Sequence, residues 1–264
     1  MSKIEVRINP DVLPSGSDLA VCNSARRSFG KRSDWASVSW VNGQESYRKL
    51  HDKDQRLIEF LARGMTADDF ESFIHQCPAP DTEEHAQELK QSLWSFRNTP
   101  THDTPFNHCF ISFEIKAPLF VRSHLVKTEY TIMSEFSRRY ITDDVEFYEH
   151  DYREVAEDKK QGSGGLHKDS EHWKKQARMK NLEQLDLYNQ MIQSGVAPEQ
   201  ARGCLPQDLM TAWTWSGTLG AMAKMCRERL GSDAQQETRC VAEQVYGYLK
   251  EHYPVSAKCL VEGC

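Results

Sequence analysis

The chain has 264 residues, 39% of them hydrophobic, with 33 Lys and Arg against 39 Asp and Glu and a net charge of -6. That length, with 6 Trp, 11 Phe and 9 Tyr, suffices for a buried core and excludes an intrinsically disordered chain. The acidic balance excludes a protein that coats DNA or RNA through a generally basic surface, while leaving room for a local cationic pocket that takes a small phosphate ligand.

In chain order, residues 17–29 read as a short strand followed by the start of a helix. Residues 54–63 place Leu57, Ile58 and Leu61 at helical spacing. The stretch 65–98 reads as two short amphipathic helices around a proline-containing break, and TPTHDTPF follows as a turn. Cys109, Ile111, Phe113 and Ile115 alternate with their neighbours, which predicts a strand over 108–116 interrupted by Pro118. The segment 119–140 fits a helical period better than alternation. Residues 153–175 are polar and glycine-rich and read as a mobile loop. The last third reads as helical: a face of Leu182, Leu185, Tyr188 and Ile192 stopped by Gly195, a short helix at Pro198, one from Pro206 towards Arg229, and one from Ala234 to Glu251 halted near Pro254. The whole reads as a single domain over 1–264.

No run approaches the roughly 20 apolar residues of a membrane span. The opening MSKIEVRINPDVLPSG lacks the apolar core of a secretory signal. The 8 cysteines form no C-x-x-C pair and fit no zinc spacing, so reduced, buried thiols are expected, and with them a cytoplasmic protein without a metal site. Cys109 and Cys204 are formal nucleophile candidates, but burial is the commoner fate of a cysteine. There is no G-x-G-x-x-G, Walker loop or G-x-S-x-G.

Three cationic spots sit beside turn or cap chemistry. Ser134–Tyr140 (S-E-F-S-R-R-Y) sets Glu135, Ser137 and Arg139 two apart; a hydroxyl with a guanidinium is a usual pairing for phosphate, and a solvated helix end is the plainer alternative. Arg202 in A-R-G-C-L-P and Arg229 in R-L-G-S-D-A-Q-Q-E each read alone as helix-cap residues.

Together, these motifs resemble the flavin-dependent thymidylate synthases. Ala25–Phe29 (A-R-R-S-F) is similar to that family's A-R-x-S-F, and His102–His108 (H-D-T-P-F-N-H) to H-x-T-P-F-E-H with Asn107 in the Glu place. Ser134–Tyr140 resembles N-E-x-S-x-R-Y, the stretch S-G-V-A-P-E-Q-A-R-G-C-L-P resembles S-G-V-x-x-E-x-A-R-x-x-L-P, and Arg229–Glu237 resembles R-x-x-x-x-A-Q-x-E. The separation of Arg202 and Arg229 would let two guanidinium forks converge on one anion.

The resemblance implies an α/β (α+β) fold with a central, mostly antiparallel sheet flanked by long helices. It implies a homotetramer with active sites between subunits, a pyrimidine nucleotide monophosphate as substrate, and no polymeric nucleic acid or membrane partner. The implied reaction is C5 methylation of dUMP to dTMP with FAD, methylenetetrahydrofolate and NADPH. Carried over residue by residue, it assigns Glu135, Ser137, Arg139, Arg202 and His124 to the nucleotide, Arg202 reaching it from a neighbouring subunit. It sets Arg229 against the pyrimidine, where a cation stabilises charge developing on the ring. Ser28, Thr104, Asn107, Lys127, Glu129 and Lys224 fall at flavin positions, and His102 and Tyr140 near the folate. The family's R-H-R falls on Lys127-Thr128-Glu129, and flavin-contacting positions upstream of Arg229 carry Thr218 and Gly220. These departures leave two alternatives open: C5 hydroxymethylation of dUMP or dCMP by a divergent paralogue, or a non-catalytic nucleotide-binding homologue. The stretch 65–98 is longer than the turn expected there and reads as a helical insertion.

Overall fold

The computed structural model describes residues 3–41, 44–63, 72, 75, 79–98, 102–156 and 162–262. In chain order its elements are β1 (Glu5–Ile8), α1 (Asp18–Arg26), β2 (Ser37–Val41), β3 (Gln44–Lys49), α2 (Asp52–Arg63), α3 (Glu83–Asn98), β4 (Phe110–Pro118), α4 (Leu119–Leu125), β5 (Thr131–Glu135), β6 (Arg153–Val155), β7 (Ser163–Leu166), α5 (Ser170–Gln193), α6 (Pro198–Ala201), β8 (Met210–Thr218), α7 (Leu219–Arg229), α8 (Gln236–His252) and α9 (Pro254–Val261). The fold is mixed α/β, as expected. Its four-stranded sheet has the order β1-β4-β8-β5. β1 runs antiparallel to β4, β2 to β3, and β6 to β7.

Where the sequence reads as one domain, the chain divides into two compact units. One comprises Met1–Val12, Ser112–Ser216 and Glu228–Val245; the other comprises Leu13–Ile111, Gly217–Arg227 and Tyr246–Cys264. Each is drawn from three separate stretches, so no linker or shift of composition marks a boundary.

In the first unit, Phe113, Ile115 and Ala117 of β4 are buried and Glu114 and Lys116 half-buried, the alternation that the sequence displays. β8 does the same with Trp213 and Trp215 against Thr214 and Ser216. The buried Ser112 hydroxyl is satisfied by Ser216, 2.7 Å away. The helix expected from Pro206 to Arg229 is therefore two elements, β8 and then α7. The Trp-Thr-Trp-Ser run has period 2 and strong β propensity. The expected helix over 119–140 is likewise α4 followed by β5. The helix ends at Leu125, and Tyr130, with a left-handed φ of 59° that an α-helix does not admit, precedes the strand. Within 153–175, β6 and β7 pair as a hairpin and α5 begins at Ser170; residues 157–161 lie outside the described residues. On α5, Tyr188 is fully buried, but Leu182 is largely exposed.

In the second unit, the expected strand at residue 17 is instead the cap of a helix. The Ser17 hydroxyl accepts the Ala20 N–H at 3.3 Å and opens α1. Val21 and Cys22 of α1 and Ile58 of α2 are buried. Pro254 does not stop the helical run but occupies the first turn of α9, where its missing N–H costs nothing. The buried Asp18 carboxylate accepts the N–H groups of Val255 and Ser256, each at 2.9 Å, and so caps α9 from across the sequence. Of the helical pair expected at 65–98, α3 is described; residues 64–71, 73, 74 and 76–78 lie outside the described residues.

Gly16 has a φ of 83°, and a Cβ there would stand 2.6 Å from the Cys109 Sγ. Gly16→Ala is expected to destabilise the protein by about 1–3 kcal/mol, since it combines a left-handed backbone with a steric overlap. Thermal denaturation checks this, and an unshifted midpoint would contradict it.

Candidate active site

The residues around Ser137 are set by a tight turn after β5. The Phe136 N–H donates to Ala212 O at 2.8 Å, and the Tyr140 N–H to Ser137 O at 3.1 Å. The Arg139 N–H donates to the Ser137 Oγ at 3.3 Å. This turn, α4, the α6 segment and the start of β8 enclose a cavity of about 460 Å³ in the first unit, lined by Glu135, Ser137, Arg138, Glu199, Arg202 and Thr211 among others.

The charges of this cavity are organised. Glu135 is paired with Arg122 at 2.8 Å and accepts the Thr211 hydroxyl at 3.0 Å. Glu199 is paired with Arg139 at 2.9 Å, and its carbonyl accepts from the Arg202 Nε at 3.3 Å. Arg138 and Arg202 have no carboxylate partner among the described residues. Of these four guanidinium groups two are paired with carboxylates, and two, Arg138 and Arg202, are in no ion pair among the described residues.

Of the residues that the sequence assigns to the nucleotide, Glu135, Ser137 and Arg202 line this one cavity within a single chain, with Arg139 joined to it through Glu199. His124 and Arg229 are not among its lining residues. His124 Nδ1 lies 3.2 Å from the Thr238 hydroxyl. Arg229 is half-buried at the end of α7, with no side-chain partner among the described residues. The convergence of Arg202 and Arg229 on one anion is therefore not a property of this cavity. Arg138, Glu199 and Thr211 were not singled out from the sequence. Glu199 lies three residues before Arg202 inside the same motif, a helical spacing that could have signalled it.

The flavin and folate candidates fall in both units. Lys127 and Tyr140 are exposed in the first, as is Glu129. In the second, His102 stacks on Phe60 with centroids 6.0 Å apart. Ser28 and Lys224 are exposed, and Thr104 and Asn107 lie on a 3-10 turn over Thr104–His108. The Thr218 hydroxyl donates to the Asn107 Oδ1 at 2.7 Å and accepts the Ala221 N–H at 3.2 Å, capping the first turn of α7. A Cβ at Gly220 would stand 2.7 Å from the same Oδ1. Thr218 and Gly220 thus form the seat of Asn107. With Oδ1 so held, the Asn107 amide N–H groups have no partner among the described residues. In kind, this donor set fits a flavin dinucleotide: a carboxamide and hydroxyls suit the ring edge, and a lysine suits the pyrophosphate, whereas Glu129 opposes it in charge.

Cys22, Cys109 and Cys226 are not built as nucleophiles. Burial pushes the Cys22 thiol up to about 12 and the Cys109 thiol up to about 11, and also raises Cys226. Iodoacetamide at mildly alkaline pH is expected to label half-buried Cys204 well before Cys22, Cys109 or Cys226, which should react only after unfolding. Peptide mapping reads the order, and fast labelling of Cys109 in the native protein would contradict it.

The sequence profile of the family described as thymidylate synthase complementing protein matches residues 48–255. The chain belongs to this family. Flavin-dependent thymidylate synthases are its curated relatives: one from Ehrlichia ruminantium (strain Gardel) is 31% identical over 169 residues, covering 62% of this chain and 57% of that one. One from Thermus thermophilus is 32% identical over 158 residues, covering 59% and 57%. The chain thus matches little more than half the length of these relatives. The UMP/dUMP methylase PolB from Streptomyces cacaoi, solved with 5-Br dUMP, shares the fold with a TM-score of 0.69 at 22% identity, over 99% of this chain and 96% of that one. The family resemblance and the fold expected from the motifs are both borne out.

Proposed function

We propose that this family member is an enzyme that methylates C5 of a pyrimidine nucleoside monophosphate, dUMP to dTMP. The observation that carries this reading is the cavity holding Glu135, Ser137 and Arg202, with two lining guanidinium groups, Arg138 and Arg202, in no ion pair among the described residues. A phosphate monoester carries roughly -1.5 to -2 near neutral pH, a charge that guanidinium groups outside ion pairs are suited to meet. Arg202 and Arg139 supply guanidinium forks and Ser137 a hydroxyl donor for the phosphate. Glu135, fixed by Arg122 and Thr211, offers an oriented acceptor for a sugar hydroxyl.

Arg229 has the free guanidinium suited to the pyrimidine edge, where it would stabilise negative charge developing at N3 and O2 and so make C5 more nucleophilic. FAD is the proposed cofactor. Ser28, Thr104 and the outward amide of Asn107 would hold its polar ring edge, and Lys127 and Lys224 would hold its pyrophosphate. When bound, the reduced flavin supplies the electrons that turn a one-carbon unit into a methyl group. Methylenetetrahydrofolate, held near His102 and Tyr140, would provide that unit and NADPH the reductant. A cytoplasmic homotetramer completes the reading. PolB is a UMP/dUMP methylase, which makes UMP the second nucleotide to offer.

The test is anaerobic incubation with dUMP, methylenetetrahydrofolate, NADPH and FAD, the product identified by mass. Formation of dTMP supports the proposal. A hydroxymethylated nucleotide would mean that water in place of hydride ends the reaction, and nucleotide binding without flavin or product would leave a binding homologue. A chain that binds no pyrimidine nucleotide overturns all three.

A further inference from the structure

Arg138 is the one lining arginine of the cavity that is buried, with 8% of its surface exposed. Two of its nitrogens are committed to the chain itself. Nη1 donates to Asp143 O, and Nη2 donates to Asp144 O at 2.8 Å. Its guanidinium carbon lies 4.8 Å from the centre of the Phe136 ring. Among the described residues Nε has no hydrogen-bond partner, and neither has the hydroxyl of fully buried Tyr188, which faces it from α5. The charged groups around it are few: exposed Asp143 and Asp144, and Glu146, which Lys116 holds at 2.8 Å. Burial lowers the Arg138 pKa from its usual range, the sign of a desolvated cation.

A buried cation without a carboxylate partner is costly to a fold, and its field is weakly screened. Arg122 and Arg139 spend their charge on Glu135 and Glu199. Arg138 spends its hydrogen bonds on backbone carbonyls, which carry no net charge. Its charge is in no ion pair among the described residues, and its Nε–H is likewise uncommitted.

We propose that Arg138 is a specificity-determining residue of this cavity: a fixed buried cation that selects a doubly charged phosphate monoester through space, while its N–H groups hold the turn between Ser137 and Asp144. The proposal rests on the nucleotide reading above and names what discriminates nucleotide from nucleoside.

The test is calorimetric titration of the full chain with dUMP, deoxyuridine and ribose 5-phosphate. In Arg138→Met, the preference for dUMP over deoxyuridine should fall by roughly 10-fold or more, as expected for loss of one weakly screened charge near a dianion. Arg138→Lys should keep most of that preference. Equal weakening of dUMP and deoxyuridine in Arg138→Met would show a clip without electrostatic selectivity and overturn the proposal, as would an unchanged preference. If Arg138→Met does not fold, the wild type decides. A buried charge resists screening, so its dUMP preference should survive high salt, and collapse of the preference there overturns the proposal. A wild type that prefers dUMP, with Arg138→Met keeping that preference in full, rejects the proposal and keeps the nucleotide reading. Arg138-dependent binding of ribose 5-phosphate without dUMP affinity rejects the nucleotide reading and keeps the proposal. Binding of neither phosphate rejects both.

Discussion

Arg202→Ala is expected to weaken dUMP binding by roughly 10- to 150-fold, because a hydrogen bond to a charged group contributes about 1.5–3 kcal/mol. Arg202 is exposed and, among the described residues, meets only the Glu199 carbonyl, so its removal leaves no buried charge behind. The loss should thus appear in nucleotide affinity and not in stability. Arg202→Lys should recover little, since an ammonium lacks the planar fork that grips a phosphate edge. Titration of both variants with dUMP, alongside their melting curves, measures the two effects separately. Unchanged affinity in Arg202→Ala would remove this residue from the nucleotide site.

Arg26→Met should have the largest effect on stability. Arg26 belongs to the A-R-R-S-F motif, but its side chain serves the fold. Its Nε and Nη2 donate to the Asp54 Oδ1 at 3.0 and 2.5 Å, and Ser33 adds a third bond at 3.0 Å. Asp54 is 0% exposed, and its other carboxylate oxygen has no partner among the described residues. Removing the arginine strands that charge, at a cost of about 3–5 kcal/mol. For a chain of this size the melting midpoint should drop by roughly 6–20 °C. Arg26→Met combined with Asp54→Asn should recover part of the loss, because the stranded charge is then gone. A double variant no more stable than Arg26→Met alone would contradict this account.

Elements whose apolar residues keep one clean period could be read from the sequence. The Ile111, Phe113 and Ile115 alternation gave β4, and Leu57, Ile58 and Leu61 gave α2. The misread elements have reasons that lie in three dimensions. β5 is too short, and too polar on one face, to outweigh its helical neighbourhood. β8 hides its period because Thr and Ser fill the alternate positions between Trp213 and Trp215. α9 was missed because Pro254 reads as a stop, whereas it occupies the first turn of a further helix. The candidate site divides in the same way. Glu135, Ser137 and Arg202 were legible because fixed motifs carry them. Arg138 was not, since an arginine beside another arginine gives no sign in sequence of which is buried. Nor could spacing reveal that Thr218 and Gly220 seat Asn107, a contact between residues more than 100 positions apart.

The interleaving of the two units also bears on how the polypeptide is made. β1 pairs through Glu5 with Lys116 of β4, so the first strand emerges long before its neighbour. At synthesis rates of about 5–20 residues per second, that strand waits roughly 5–20 s with an unpaired edge. The second unit waits longer, because Asp18 caps a helix whose first N–H groups are 237 and 238 residues downstream. Neither unit is encoded by a continuous stretch, so neither can fold as a finished piece while the rest is still being translated. Folding must close long loops after most of the chain exists, which makes it slow and exposes unpaired edges to aggregation. Cutting the gene at any single point would sever one unit or both.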